Sequence, residues 1–165
     1  MAALLRPETR LVIATHASNV CGAIQPVAAI GALCRHHAIP FLLDAAQTAG
    51  ILPVDMGLIG CDLIAFTGHK GLMGPTGIGG LIIGPDLDLP GTRWGGTGVR
   101  SAQRTHLEEY PFRLEAGTLN TVGIVGVGAG LKWVQERGVI ALRAHESALA
   151  NQFLAGVASL TGLTA

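Results

Sequence analysis

The stretch Thr67–Gly77, with the sequence TGHKGLMGPTG, is a glycine-rich loop that carries a lysine, Lys70, near its start. It follows the apolar run Leu63–Phe66, which predicts a buried strand ending just before the loop. The chain has only two lysines, Lys70 and Lys132, against nine arginines, so a lysine in a tight turn after a strand needs a reason. The pKa of a lysine amine falls readily on burial, and the neutral amine can form a Schiff base with a carbonyl. The loop therefore indicates carbonyl–imine chemistry at Lys70.

A second apolar run, Phe41–Leu43, ends in the carboxylate of Asp44, and Gln47 follows three residues later. Pyridoxal phosphate is the carbonyl compound that fits this combination. It withdraws electrons well only while its ring nitrogen stays protonated, and a carboxylate held against that nitrogen keeps the proton there. The Gln47 amide can donate a hydrogen bond to the ring hydroxyl oxygen. Ligands of open α/β sheets bind at the carboxyl ends of strands, so Asp44 and Lys70 are predicted to share one edge of a sheet.

The alternation of apolar runs and longer amphipathic stretches predicts an α/β fold. The two strands that flank the lysine loop are too close for a helical crossover, so the later one should run antiparallel to its neighbour. The long connection over residues 87–109 is of a length that is usually functional. Strands are predicted over 10–15, 41–44, 62–66 and 79–83, and helices over 25–38, 53–59, 120–136 and 140–160, with Gly138 at the break between the last two.

Five short motifs carry a family resemblance. They are Ser18–Gly22 (SNVCG), Asp44–Gln47 (DAAQ), Thr67–Lys70 (TGHK), Gly95–Gly98 (GGTG) and Arg113–Asn120 (RLEAGTLN). Their order and spacing resemble those of the class V aminotransferases, and among these the cysteine desulfurase and selenocysteine lyase group most of all. The resemblance runs over nearly the whole chain. It implies a piece of the large domain of a fold type I pyridoxal-phosphate enzyme, with a mixed, mostly parallel sheet flanked by helices.

The resemblance also implies roles for individual residues. Lys70 would hold pyridoxal 5'-phosphate as a Schiff base and then move the Cα proton of an amino-acid substrate. In the cysteine desulfurases the substrate is cysteine, and a cysteine of the enzyme takes its sulfur and leaves alanine. The residues expected to bind the cofactor are Asn19, at the ring hydroxyl or the substrate, Asp44 and Gln47 at the ring, and Thr67 and His69 at the phosphate.

Several of these residues have plain structural alternatives. Asp44 can cap a helix or form a turn, Asn19 can stabilise a turn, and Lys70 can be an ordinary loop lysine. The function has alternatives as well. Another class V aminotransferase activity or another pyridoxal-phosphate lyase would use the same cofactor residues, and a non-enzymatic remnant would use none of them.

The expected partners follow from the same resemblance. The segment Gly95–Thr97 would reach the phosphate at the site of a neighbouring subunit, which makes the active unit a homodimer, because glycines allow a close approach and the Thr97 hydroxyl supplies a donor. The other expected partners are a small amino-acid substrate, such as cysteine, and a sulfur-acceptor protein.

The length of the chain leads to a further expectation. Family members are more than twice as long as these 165 residues, so residues 1–165 are expected to form a single partial domain from the middle of the large domain. In the family, the upstream segment carries the first phosphate-binding loop and the histidine that stacks on the ring. The downstream segment, with the small domain, carries the arginine that binds the substrate carboxylate and the persulfide-forming cysteine. We therefore expect the isolated chain to be inactive.

Composition limits the binding partners and the cellular compartment that can be expected for the chain. The formal net charge is zero and the pI is about 7.0, which gives no indication of binding to nucleic acid or to an anionic membrane. The glycine-rich apolar stretch 122–131 is far shorter than the roughly 20 residues of a membrane span. Three cysteines, an odd number, fit a reducing cytoplasm. Hydrophobic residues make up 49% and charged residues 13%, which indicates surfaces that more chain or a second subunit should cover.

Three remaining signals favour packing over chemistry. The sequence GVGAG at Gly126–Gly130 resembles part of a dinucleotide fingerprint, but it lacks the preceding strand and the following acidic residue, so close helix packing is predicted. A zinc site is suggested by Cys34, His36 and His37. Adjacent histidines diverge on a helix, however, and the sequence has no second pair of ligands, so no metal is expected. Cys21 replaces a threonine common in the family and is predicted to be a small buried substitute rather than a reactive thiol.

Overall fold

The computed structural model describes residues 2–100, 102–158 and 160–162. Within these residues the chain forms a four-stranded sheet whose spatial order, β1-β2-β3-β4, is also the chain order. The first three strands are parallel, and β4 is antiparallel to β3, which confirms the predicted mixed, mostly parallel α/β sheet. The strands are β1 (Val12–Thr15), β2 (Phe41–Asp44), β3 (Leu63–Thr67) and β4 (Gly79–Ile83).

The helices also lie where the sequence predicts them, with ends that shift by a few residues. They are α1 (Val27–His36), α2 (Met56–Ile59), α3 (Thr121–Arg137) and α4 (Val139–Ala158), with short 3-10 turns at Ala2–Leu4 and Phe112–Leu114. Helix α2 begins later than predicted because the Asp55 carboxylate caps it, accepting the backbone N–H of Leu58 at 2.9 Å. Strand β1 begins at Val12, opposite Phe41, because Pro40 has no N–H to donate to a ladder.

A hydrophobic core fills the space between strands β1–β3 and helices α1 and α2. Phe41 and Leu43, alternate residues of β2, are both 0% exposed. Burial of side chains of this size stabilises the fold by about 1.5–3 kcal/mol each. Helix α1 approaches the end of α2 closely at Gly31, where a Cβ atom would lie 1.9 Å from the carbonyl oxygen of Ile59. The central strand that carries Asp44 is therefore rigidly packed.

Helix α3 packs through glycine onto the loop that joins β3 to β4. A Cβ atom at Gly126 would lie 2.7 Å from the Pro75 ring, and one at Gly130 would lie 2.2 Å from the carbonyl oxygen of Leu72. Contacts this short exclude any side chain, so the prediction of close helix packing at this stretch is confirmed. Gly138, at φ +80°, separates α3 from α4, as predicted.

Large apolar side chains remain exposed on α3 and α4. Val122 and Val125 on α3, and Ile140 and Phe153 on α4, are each at least 68% exposed. Exposed apolar side chains in this number indicate a surface that further chain or a second subunit could cover. Among the described residues, no helix is both long enough and apolar enough to cross a membrane.

Candidate functional site

The predicted site residues gather at the edge of the sheet where the parallel strands end. Asp44 is the last residue of β2, and Lys70 lies three residues beyond the end of β3. Asp44 pairs with Ala65, and since β2 and β3 are parallel, Asp44 and the lysine loop lie at the same edge, as predicted. Asn19 is exposed in the turn that follows β1, which is parallel to β2 and ends at the same edge.

The Asp44 carboxylate is held in place by donors on both oxygens. Its Oδ1 accepts the backbone N–H of Ala46 at 2.9 Å, which makes it a turn former. Its Oδ2 accepts the hydroxyl of Thr15, its register partner on β1, at a long 3.4 Å. The side chain is half-buried. An oriented carboxylate with an open side can also receive a cationic N–H group.

Two buried polar residues beneath this edge are absent from the sequence predictions. His16 follows β1 directly, and its Nδ1 lies 2.9 Å from the hydroxyl oxygen of Thr48, which follows Gln47. They are 6% and 1% exposed, and burial lowers the pKa of His16. The available signal was a histidine directly after β1, one position beyond Thr15, which is the register partner of Asp44.

The lysine loop is closed by its own backbone. The N–H of Gly74 donates to the carbonyl of Gly68 at 2.8 Å, which brings the two ends of the turn together. Within the turn, the Thr67 hydroxyl and His69 Nδ1 are 2.7 Å apart. The side chain of Lys70 is exposed. A hydroxyl, an imidazole and an amine are thus presented from four consecutive residues.

Helix α3 supports this loop from behind. A Cβ atom at either Gly68 or Gly74 would lie 2.5 Å from the Val127 side chain. At the start of the helix, the Asn120 amide donates to the carbonyl of Gly77 at 3.2 Å, while its oxygen caps α3. The position of the loop is therefore set by a helix about fifty residues later in the chain.

Thr97 lies apart from the other predicted residues. It lines a cavity of about 970 Å³ whose walls come from described residues of 88–113 and include none of the strand-end residues. Its hydroxyl donates to the Val99 carbonyl at 3.2 Å. The N–H of Gly117 donates to the carbonyl of Gly96 at 2.7 Å, which places a second threonine, Thr118, on the neighbouring turn. A role for Thr97 in another subunit's site stays a prediction.

The connection that carries Thr97 is tied at its base by Arg113. The guanidinium pairs with Asp88, donates from Nε to the Glu108 carbonyl at 2.6 Å, and lies 5.0 Å from the centre of the Tyr110 ring. The Tyr110 hydroxyl in turn accepts the N–H of Leu89 at 2.7 Å. Arg113, the first residue of the motif Arg113–Asn120, therefore holds the connection together.

The thiols occupy two kinds of environment. Cys21 is exposed, so the prediction that it is a small buried substitute is wrong. The turn that holds it extends beyond the end of β1, and the hydrogen bond with Ser18 lowers the pKa of the Cys21 thiol. Cys34 and Cys61 lie in the core, where burial raises the pKa of each thiol.

The donors at this edge fit the predicted cofactor. Pyridoxal phosphate needs a carboxylate for its ring nitrogen, polar donors for its hydroxyl and phosphate, and an amine for its carbonyl. Asp44 is oriented, Gln47 is half-buried beside it, Thr67 and His69 contact each other, and Lys70 is accessible.

Comparison with known proteins identifies the family and the fold. The sequence profile of the family Aminotransferase class-V matches residues 1–165. A probable cysteine desulfurase of Methanothermobacter thermautotrophicus is 37% identical over 159 residues, which cover 94% of this chain and 40% of that protein. The chain thus spans about two fifths of the length of this relative.

Two solved structures share the fold. The apo cysteine desulfurase of Thermococcus onnurineus NA1 superposes with a TM-score of 0.73 and 34% identity, over 90% of this chain and 38% of that one. The S-sulfonic acid form of the cysteine desulfurase CsdA from Escherichia coli superposes with a TM-score of 0.81 and 29% identity. The match covers 97% of this chain and 41% of that one. With the profile matching from the first residue to the last, the chain belongs to the class V aminotransferase family.

Proposed function

We propose that this chain provides the cofactor-binding edge of a pyridoxal-phosphate-dependent cysteine desulfurase. The observation that carries the proposal is the shared edge of β2 and β3, with an oriented carboxylate, Asp44, on one strand and an accessible amine, Lys70, after the next. The names of the relatives support the choice of cysteine desulfurase within the family. Because the chain spans about two fifths of its relatives, the activity belongs to the proposal.

In this proposal each residue at the edge has one task. When bound, pyridoxal phosphate supplies an electron-withdrawing ring that makes the Cα proton of an amino acid acidic. Asp44 holds a proton on the ring nitrogen, since a carboxylate next to that nitrogen favours the charged form. Lys70 would hold the cofactor through Nζ at its carbonyl carbon, with loss of water, and as a free amine would accept and return the proton at Cα. Gln47 and Asn19 orient the ring through its hydroxyl group.

The phosphate would be bound by the pair Thr67 and His69. Their mutual contact of 2.7 Å presets both groups, so little side-chain entropy is lost when an anion binds. We also propose a homodimer in which Thr97 reaches the phosphate at the neighbouring subunit's site. The exposed Thr118 on the adjacent turn offers a second hydroxyl for the same contact, and both can be tested by substitution.

The remaining partners are part of the same proposal. The substrate would be cysteine or a similar small amino acid, and a sulfur-acceptor protein would receive the product sulfur. A cytoplasmic location is proposed on the basis of the three free thiols, two of which are buried as thiols in the core.

Covalent labelling of the two lysines tests the proposal directly. Reduction with borohydride makes the attachment of pyridoxal phosphate to an amine permanent, and peptide mass spectrometry then locates it. We expect labelling of Lys70 to exceed that of Lys132 by about tenfold or more at limiting cofactor, because only Lys70 has groups beside it that bind the ring and phosphate. Both amines are exposed, so accessibility alone would label them similarly.

The matched variants are Lys70→Arg and Lys132→Arg. The first should abolish the preferential labelling, and the second should leave it intact. Equal labelling of the two lysines, or preference for Lys132, would contradict the proposal.

A further inference from the structure

The hydrogen bond between His16 and Thr48 adds a side-chain connection between the segments that follow β1 and β2, two strands that are already paired in the sheet. The side chains are buried, and their polar atoms lie 2.9 Å apart although the residues are 32 positions apart in the chain. His16 is the first residue after β1. Thr48 lies at the far side of the turn that begins after Asp44. Such a bond in a dry interior is stronger than one at the surface and fixes relative position.

Backbone hydrogen bonds extend this connection to the groups that face the cofactor. The N–H of His16 donates to the carbonyl of Asp44 at 2.9 Å. The N–H of Thr48 donates to the carbonyl of Ala45 at 3.0 Å, which closes the turn that contains Gln47. The turn is thus held at its start by the backbone of His16 and at its end by the side chain of the same residue.

The hydrogen bond between His16 and Thr48 does not require one particular tautomer of the imidazole. The Thr48 hydroxyl can donate to Nδ1 or accept from it, so the contact exists with either tautomer of the imidazole. Among the described residues, no buried side-chain polar atom lacks a hydrogen-bond partner, and the Thr48 hydroxyl has its side-chain partner in His16 Nδ1. Removing one member leaves the other buried without a partner, and that is the costly case.

We propose that His16 and Thr48 are positioning residues of the cofactor edge, which hold the turn after β2 so that Asp44 and Gln47 meet the ring together. This inference rests on the proposed function. It assigns no contact with the cofactor to either residue. Their effect is to keep a carboxylate and an amide, three residues apart, at a fixed separation from the end of β1.

The test uses Thr48→Val, which keeps the shape of the side chain and removes the hydroxyl. Pyridoxal phosphate is titrated into the 165-residue chain, and labelling at Lys70 relative to Lys132 is measured after reduction. We expect the half-saturating concentration to rise about tenfold, the size of effect that one lost buried hydrogen bond can give. Thr48→Ser, which restores the hydroxyl, should bring it back to within about twofold. Thr92→Val, a hydroxyl removal at an exposed position, is the control.

A substitution cycle separates positioning from general destabilisation. In a background with both Asp44→Ala and Gln47→Ala the two groups being positioned are gone, so Thr48→Val should change labelling by less than about twofold. An undiminished effect there would show a merely structural role and overturn the inference. Thermal melting of each variant is measured in parallel, and Thr48→Ala replaces Thr48→Val if the valine variant does not fold.

Different results would overturn the positioning role of His16 and Thr48 and the proposed function. Preferential labelling of Lys70 that Thr48→Val and Thr48→Ala leave unchanged would overturn this inference and leave the proposed function standing. No preferential labelling in the unaltered chain would overturn the proposed function, and this inference with it.

Discussion

The exposed thiol of Cys21 lies on the turn that follows β1, at the same edge as the proposed cofactor residues. Its pKa is lowered by the hydrogen bond with Ser18, while burial raises the pKa of Cys34 and Cys61. The thiolate is the reactive form, so the three thiols should differ in rate. With Ellman's reagent at pH 7 we expect one fast thiol and two that react only as the chain unfolds.

Cys21→Ser should remove the fast phase and leave the slow ones unchanged. A fast phase that persists in this variant would mean that the core opens around Cys34 or Cys61 under native conditions.

The lowered pKa of His16 makes the stability of the fold depend on pH. The imidazole is buried and its pKa in the folded chain lies below the ordinary value of 6.5, so the unfolded chain binds the proton more readily. Stability from this residue is fully present above pH 6.5 and is lost as the pH falls through the folded pKa. Each unit by which the pKa of His16 in the folded chain lies below its pKa in the unfolded chain corresponds to about 1.4 kcal/mol in the free energy of unfolding.

Urea unfolding at pH 7.5, 6.5 and 5.5 measures this dependence. We expect the free energy of unfolding to fall with pH in the unaltered chain and to fall less steeply in His16→Asn. His37→Asn, at an exposed histidine, is the control and should keep the slope. The same slope in all three chains would show that His16 is not the residue responsible.

At the level of elements, the contact between α3 and the lysine loop can be tested by two substitutions on one helix. A methyl group at Gly130 would lie 2.2 Å from the Leu72 carbonyl oxygen, whereas Gly128, two residues earlier, has nothing within 4 Å of such a group. We expect Gly130→Ala to destabilise the fold by about 1–3 kcal/mol because the helix must move away from the loop. Gly128→Ala should stabilise it by about 0.5–1 kcal/mol through helix propensity.

The two alanine variants have the same composition and lie on the same helix, so the comparison isolates the contact. Denaturant midpoints measured side by side should move in opposite directions. A shift of the same sign for both would mean that α3 does not rest on the loop.

The elements themselves were predictable because each carries its own pattern. Strand β2 is four residues, three apolar and one carboxylate, and its bounds agree with the prediction. Strand β4 agrees too, because the short loop after β3 leaves it no route to a parallel position. The ends of α1 and α2 were less predictable, since they depend on Pro26 and on the Asp55 cap rather than on apolar periodicity.

The position of a candidate residue at the sheet edge was predictable only where that residue ends a strand or closely follows one in the sequence. Asp44 and Lys70 satisfy that condition. The pairing of His16 with Thr48 does not, because two polar residues 32 positions apart become partners only through the register of β1 and β2. Cys21 was placed wrongly for a related reason: whether a turn after a strand extends outward or folds back depends on what packs against it.

At the level of the whole molecule, the decisive fact is how much of the related enzymes this chain matches. It spans 40% of the Methanothermobacter thermautotrophicus relative. By resemblance, the arginine that binds the substrate and the cysteine that takes its sulfur belong to segments outside residues 1–165. We expect the 165-residue chain to bind pyridoxal phosphate weakly and to release no alanine from cysteine, as measured by amino-acid chromatography after overnight incubation.

A full-length cysteine desulfurase relative serves as the positive control under the same conditions. Release of alanine by the 165-residue chain at an enzymatic rate, and its loss in Lys70→Arg, would show that the residues described here suffice for the whole reaction.

The agreement of strand order with chain order has a consequence for how the protein is made. Each strand pairs with the one before it, across separations such as the 29 residues between Val12 and Phe41. Since each described strand after β1 pairs with one that has already been translated, the sheet can be assembled in sequence as the chain leaves the ribosome. Asp44 is then placed against β1 before the lysine loop is made, and α3, which is made after the loop, sets the final position of that loop.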